Sequence, residues 1–553
     1  MSEDTIGKQE SPKLSRRDFL KVAGIAMGAG TLVANGVVAK DRIFFAKEHS
    51  IDMDNYLSKI KVEGRDEWTI NFTALRLFFP DVVKESEHGG FVLRNEKETP
   101  VVLDFSNASG KEIRLFPNQA EVSKSNMSWD KANQESGFGV ASGGLILEGD
   151  FRVKGNIAKH PVFVGDVLDR VICFKGSGKE ECSVEDITFR GLNAFKQDQN
   201  GREDCPDPAF IAGDNINLEV QGINIDYVPV KPDWANEENS QLAKGIILHN
   251  TRNQEPLQLL VAHSMIRGLQ WDGITSNGLV DVRVDNSRLI QDRSYKQSRG
   301  VGIASTFNSP KGKITINRSL VDYCKGTSIW VNEQTDLPRE GNNLEIFDST
   351  INNASWAVSI DAEQKTRIKN LEVAPDYDGG PQEGSVYWPL DLNWKGNKFD
   401  LSFDGLKFKL YPKMGDAVKL AFFANWEGFS DFQGMAPADF FTEHFGSWGD
   451  LSARVKFPEG ETEIKVTKDQ FLDFLQNIQV GEQSMNPSGM MLWFDMKERQ
   501  FVVLFATELD SESGTMYFSD PFYISTESKR NNENASVRIS RTVSRIGPEV
   551  KVA

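Results

Sequence analysis

Apolar and polar positions between Lys244 and Asp361 repeat with a period far longer than that of a helix or a single strand. Five segments superimpose: Gly245-Ile246-Ile247-Leu248-His249, Gly273-Ile274-Thr275-Ser276-Asn277, Gly302-Ile303-Ala304-Ser305-Thr306, Ser328-Ile329-Trp330-Val331-Asn332 and Ala357-Val358-Ser359-Ile360-Asp361. Each reads small, β-branched, two mixed positions, then a residue with hydrogen-bonding capacity. The β-branched position falls at 246, 274, 303, 329 and 358, at intervals of 28, 29, 26 and 29. A near-constant period of that size, carried by short strands, predicts a solenoid with one turn per repeat. A second strand recurs between these segments as Val261-x-x-Ser264-x-Ile266, Val284-x-x-Ser287-x-Leu289, Ile316-x-x-Ser319-x-Val321 and Ile346-x-x-Ser349-x-Ile351. Val220-x-x-Ile223-x-Ile225 and Val184-x-x-Ile187-x-Phe189 keep the pattern without the serine. Alternation around Leu218, Leu259, Val282, Ile314 and Leu344 turns Glu219, Arg283, Thr315 and Glu345 to solvent. Serines stacked just inside a turn are placed to satisfy its backbone groups.

Unequal coils without a helical period predict an all-β chain built on a right-handed parallel β-helix, residues 145–393. Residues 40–144 lack the period and read as an N-terminal cap over the exposed strand edges of the solenoid, with strands expected at Phe72–Phe79 and Val101–Phe105. Ser385-Val386, 28 residues past Val358, offers one more coil. Residues 394–527 change texture: alternating strands around a helical segment, Thr467–Gln476, predict an antiparallel β-sandwich. Residues 528–553 are a polar tail, either an edge strand or a loose end.

The first 39 residues are an address. Ser15-Arg16-Arg17-Asp18-Phe19-Leu20-Lys21 resembles the twin-arginine export motif, carried by Arg16 and Arg17. A weakly apolar run follows, Val22–Val38, and Val37-Val38-Ala39 supplies small residues for cleavage before Lys40. The alternative is a retained anchor, for which the run is short and glycine-rich. The resemblance implies passage through the twin-arginine translocase after folding, a periplasmic or secreted location, and no membrane span in the mature chain.

Composition narrows the partners. A formal charge of −17 argues against nucleic acid or an anionic membrane. Only 6 His and 4 Cys occur, with no CxxC, HExxH or HxH, so no cofactor site is evident. Cys173 and Cys182 are close enough in sequence to bridge a turn, but folding in a reducing compartment favours buried thiols, with Cys205 and Cys324 unassigned. Gly137–Gly144 and Lys175-Gly176-Ser177-Gly178-Lys179 fail the phosphate-loop spacings. Asp376-Tyr377-Asp378-Gly379-Gly380 lacks the further ligands of a calcium loop.

Chemistry on a packed solenoid belongs on its outer surface. If the β-branched residues face inward, Gly245, Gly273, Gly302, Ser328 and Ala357 form a flat outward strip open to a ligand. His249, Asn277, Thr306, Asn332 and Asp361 form a polar column beside it. Such columns also arise as purely structural ladders. Lys244 and Asp272 precede their glycines on adjacent coils, within reach of each other, and Trp330 lies between the columns. The turn 291–299, with Asp292, Arg293, Tyr295, Lys296 and Arg299, should overhang the strip. Cleavage of a uronate polymer by β-elimination requires carboxylate neutralisation, a base and an acid. His249, Asp272, Tyr295, Lys296 and Arg299 are the catalytic candidates. Lys244, Asn277, Arg293, Trp330, Asn332 and Asp361 are the candidates for holding the polymer. Hydrolysis would instead use paired carboxyls among Asp272, Asp292 and Asp361. Trp271 and Trp356 read as packing residues or as sugar-stacking platforms.

The repeats resemble the right-handed parallel β-helix superfamily of pectate-lyase-like enzymes and sugar-hydrolase repeats. The resemblance spans roughly residues 145–390 and lies in architecture. Thr366-Arg367-Ile368-Lys369 contains a polygalacturonase triplet, while the companion Gly-His-Gly and paired-aspartate motifs are absent. It implies an exported carbohydrate-active protein, a polysaccharide lyase or glycoside hydrolase, and allows a Ca2+ ion, which several members use. The competing class is a non-catalytic carbohydrate-binding or envelope assembly protein.

Overall fold

The computed structural model describes residues 49–62, 65–85, 91–115, 143–165, 168, 170–192, 208–227, 243–252, 255–269, 271–291, 302–307, 312–322, 324, 327–333, 342–354, 356–361, 364–375, 388–394, 400–404, 406–410, 417–425, 434–444, 451–457, 460–478, 485–495, 500–510, 515–519, 522–524 and 538–539. They fall in one unit, residues 48–553, distinct from residues 1–47.

The chain winds. One coil shows the scheme: Leu257–Ala262 lies in a first sheet, Met265–Leu269 in a second and Ile274–Gly278 in a third. The next coil repeats it with Val280–Asp285, Arg288–Gln291 and Ile303–Phe307, each strand parallel to its counterpart. Among the described residues the first sheet has 11 strands and the second 14. The expected alignment of the five segments holds rung by rung: Ile246 opposes Ile274, Ile274 opposes Ile303, Ile303 opposes Ile329 and Ile329 opposes Val358.

Pairing reaches past both expected limits of the coiled region. Parallel pairing begins with His49–Asp52 on Val101–Asp104, then joins Val101–Asp104 to Phe151–Lys154, well before Leu145. The long insertion at 116–142 stretches those coils and hides their period in the sequence. At the other end, Asp400–Asp404, Leu406–Leu410 and Leu451–Phe457 extend the first two sheets in parallel beyond residue 394. Antiparallel strands then grow directly from the solenoid, as Asn486–Asp495 on Ala417–Asn425 and Gln500–Asp510 on Asn486–Asp495. The extra coil pairs Leu390 with Val358; Ser385 and Val386 lie outside the described residues. Arg538–Ile539 adds a two-residue edge strand against Phe522 and Tyr523.

Phe72–Phe78 is a helix rather than a strand. Asn71 caps it, its side-chain oxygen accepting from Ala74 N at 2.9 Å, and Leu75 is the residue it buries. The expected helix, read from the sequence as Thr467–Gln476, forms at Lys468–Asn477, closed by a reciprocal Thr467–Gln470 capping box. It packs Phe471 on Phe441 of the helix Pro437–His444.

The core runs the length of the coils as stacked like residues. Phe105, Phe163, Phe189, Phe210 and Tyr227 meet edge to face in succession, with ring centroids 5.0, 5.8, 6.1 and 5.8 Å apart. The serine ladder forms as expected at the turn between the first two sheets. Ser287 Oγ donates to Asp285 O at 3.0 Å and accepts from Ser264 N at 3.2 Å; Ser319 and Ser349 repeat this a rung further on. The preceding residue in each rung makes the corner with a left-handed backbone: His263, Asn286, Arg318 and Asp348 have φ of 46–51°.

Candidate functional site

On the third sheet Ile246, Leu248, Ile274, Ile329 and Val331 belong to the main core, so the residues between them point outward. Two outward columns result. The first runs through Ala212, Ile247, Thr275, Ala304 and Trp330, with the backbone of Ser359 in register on the next rung. Ala212 and Ile247 are fully buried there, apart from the main core, so the outer face is closed to solvent in those coils. The second runs through Lys175, Asp214, His249 and Asn277, with the backbone of Thr306, Asn332 and Asp361 in register on the following rungs. Rungs of a sheet stand about 4.8 Å apart, so His249 and Asn277 are neighbours on adjacent rungs, and the same register reaches back to Asp214 and Lys175, before the first of the five aligned segments.

The small-residue strip does not. A Cβ on Gly245 would lie 2.4 Å from Gly273 O and 3.1 Å from Ile266 Cγ2; one on Gly273 would lie 2.6 Å from Gly302 O and 2.7 Å from Leu289 Cδ2. One on Gly302 would meet Ser328 O and Val321 Cγ1, both at 2.6 Å. These glycines therefore face the core at the corner where the chain enters the third sheet, and Ser328 is fully buried at the same corner. Gly273 and Gly302 sit in bends just before their strands and Gly245 is the second residue of its own, so alternation read along the strand does not carry to these positions. They are small because successive rungs touch, not to admit a ligand.

Lys244 and Asp272 do meet: Nζ and Oδ2 are 3.7 Å apart, and both side chains are buried. Thr275 Oγ1 donates to Asp272 Oδ2 at 2.9 Å, which places the pair on the outer side of the sheet. In the adjoining column Asn277 Nδ2 stands 3.4 Å from His249 Nδ1, donating when that nitrogen carries no proton. His249, Asn277 and Trp330 are half-buried, the accessible part of the site. Gln291 Nε2 donates to Trp271 O at 2.7 Å, holding the start of the 291–299 turn against the neighbouring rung. Arg293, Tyr295, Lys296 and Arg299, with Asp292, lie outside the described residues, as do Arg16 and Arg17. Thr306, Asn332, Trp356, Ser359 and Asp361 are described in backbone only.

Asp214 was not among the expected residues. It precedes His249 in the polar column, is 5% exposed, and accepts from Asn215 Nδ2 at 3.0 Å. Burial pushes its carboxyl up to about 6, against the opposing pull of Lys175, Arg170 and Arg252. The signal was present: Ile211-Ala212-Gly213-Asp214 fits the five-segment template, but the insertion at 228–242 stretches the interval to Ile246 well past 28.

Cys173, Cys182 and Cys324 are buried thiols, as the composition suggests. Burial pushes Cys182 and Cys324 up to about 12, so neither is a thiolate nucleophile. Cys205 and the Asp376–Gly380 turn lie outside the described residues. Among the described residues no three His, Cys, Asp or Glu side chains gather as a metal site, and no helix is long and apolar enough to cross a membrane. Comparison with family models, with curated proteins and with solved structures finds no match to this chain.

Proposed function

We propose that the chain is an exported protein that holds an extended acidic polysaccharide along the outer face of the third sheet and cleaves it by β-elimination. The observation that carries this reading is the register that sets His249, Asn277, Thr306, Asn332 and Asp361 on successive rungs, with His249 and Asn277 half-buried on the outer face and half-buried Trp330 in the adjoining column. A regular array of that kind suits a polymer. Arg293, Lys296 and Arg299 would neutralise the uronate carboxylate, with His249 and Tyr295 moving protons. Asp272, committed to Lys244 and Thr275, would fix the geometry of its rung, which disfavours hydrolysis by paired carboxyls. In this reading the coils are right-handed, residues 40–144 supply the N-terminal cap, and the antiparallel C-terminal strands close into a sandwich. The twin-arginine motif takes the chain to the periplasm or beyond, with cleavage after Ala39.

A second reading, a non-catalytic carbohydrate-binding or assembly protein, is favoured by the burial of Lys244, Asp272 and Asp214, which leaves few exposed ionisable groups among the described site residues. Incubation of the full chain with a panel of uronate and neutral polysaccharides separates the readings. New ultraviolet absorbance from an unsaturated sugar end reports elimination, and reducing ends without it report hydrolysis. Binding without product supports the second reading. Neither binding nor product removes both.

A further inference from the structure

The helix Phe72–Phe78 presents apolar side chains to solvent. Leu75 is buried, yet Leu77 is 78% and Phe78 70% exposed, and Thr73 and Pro80 are exposed with them. Among the described residues the other large apolar side chain so exposed is Ile157, on the turn after Phe151–Lys154. Aromatic rings support this tip from beneath: the Tyr56 ring lies 5.9 Å from that of Phe78 and 5.7 Å from that of Phe79, and Phe79 lies 5.8 Å from His49. The rim carries no excess charge. Arg76 pairs with Glu85, and Lys84, whose Nζ donates to Pro80 O at 3.2 Å, is balanced by exposed Asp81.

We propose that the Leu77–Phe78 tip rests on a lipid bilayer while the leader is still attached to the folded chain. This rests on the export reading of the proposed function. Size decides for lipid over protein. At about 200 Å² for a fully exposed large side chain, the two residues offer roughly 300 Å². That is well under the ~800 Å² each partner gives to a standard protein interface. A bilayer interface takes up a small convex apolar tip without a matching surface. One weak anchor gives only reversible membrane binding, and a second makes it stable. The apolar run Val22–Val38 would be the first anchor and the tip the second. Residues 39–48 separate that run from His49 and span at most about 35 Å, and the His49 ring lies against Phe79 at the base of the tip. The tether is therefore short enough to hold the tip at the interface. With a neutral rim, the contact needs no anionic lipid and does not weaken with salt.

A fluorophore sensitive to its surroundings tests this on the full chain carrying Cys205→Ser. It is attached at Thr73→Cys, one helical turn before Leu77, or at Gln258→Cys, exposed on the first sheet, as a control. Cys173, Cys182 and Cys324 are buried and stay unlabelled. Phosphatidylcholine vesicles should shift the emission of the probe at 73 to the blue, equally at low and high salt, and leave the probe at 258 unchanged. Leu77→Ser combined with Phe78→Ser should abolish the shift and raise the lipid concentration for half-maximal binding about tenfold. Circular dichroism separates loss of contact from loss of fold. A chain that sediments with the vesicles while the probe at 73 stays in water binds through its leader alone and overturns the proposal. So does a shift that the double variant retains, or one that grows with protein concentration in the absence of lipid, which would assign the tip to a second copy. Failure of export in cells, read by fractionation, would strike the export reading and leave the lipid contact to the fluorescence result.

Discussion

Ser264, Ser287, Ser319 and Ser349 show how much of this fold is settled by single side chains. Each hydroxyl spans two rungs, donating to a carbonyl two residues back and accepting an amide from the preceding coil, and all four serines are buried. Ser287→Ala leaves the buried Ser264 amide without its acceptor, while Asp285 O keeps the His263 amide, and should cost about 1–3 kcal/mol, read as a lower urea midpoint with an unchanged slope. An unchanged midpoint would mean the ladder is ornamental. The repeat of serine two residues before an apolar position made this ladder legible in the sequence. The Lys244–Asp272 pair was legible for the same reason, since both residues precede the glycine of their repeat. Asp214 was not, because an insertion displaced it from the period. The facing of the glycines was misread because alternation read along the strand does not carry to the corner.

At the level of elements, the third-sheet strands are spaced by their corners. Gly273 sits where its carbonyl and that of Gly302 pass close to the next rung, and a methyl group there meets backbone as well as Leu289. Backbone cannot swing aside as a flexible side chain does. Gly273→Ala should therefore destabilise by about 1–3 kcal/mol, as overpacking does, measurable as a fall in melting temperature. If the strip faced solvent, as alternation alone suggests, the same change would be neutral. The element boundaries were the least legible part of the chain. Parallel pairing starts at His49 and passes residue 394 because long insertions alter coil length without altering which strands pair. A repeat search sensitive to period sees only the coils without insertions. Phe72–Phe78 was misassigned because its apolar residues suggested a strand, while the Asn71 cap decided for a helix.

The whole molecule carries a pH signature through Asp214. Its carboxyl, normally near 3.8, is pushed up to about 6 in the folded chain by burial. Between those values the folded state holds a proton that the unfolded state has lost. Stability from this group therefore falls as pH rises from about 4 to about 6, and the penalty stays constant above that. At about 1.4 kcal/mol per unit, the penalty at neutral pH is on the order of 3 kcal/mol. Asp214→Asn should raise the melting temperature at pH 7.5 and flatten its dependence between pH 4.5 and 6.5. A variant less stable than the parent at neutral pH would show that Lys175, Arg170 and Arg252 outweigh burial.

The functional account rests on the accessible part of the polar column, His249 and Asn277 on adjacent rungs, with Trp330 two rungs further along the adjoining column. The most direct test is calorimetric titration of the full chain with uronate polymers, alongside Asn277→Ala, which shortens one half-buried side chain outside the main core. The account predicts saturable binding by the parent and a dissociation constant about tenfold higher for the variant, in line with the loss of a polar contact to a charged group. Equal affinities in the two proteins, or no uronate binding by the parent, would contradict it.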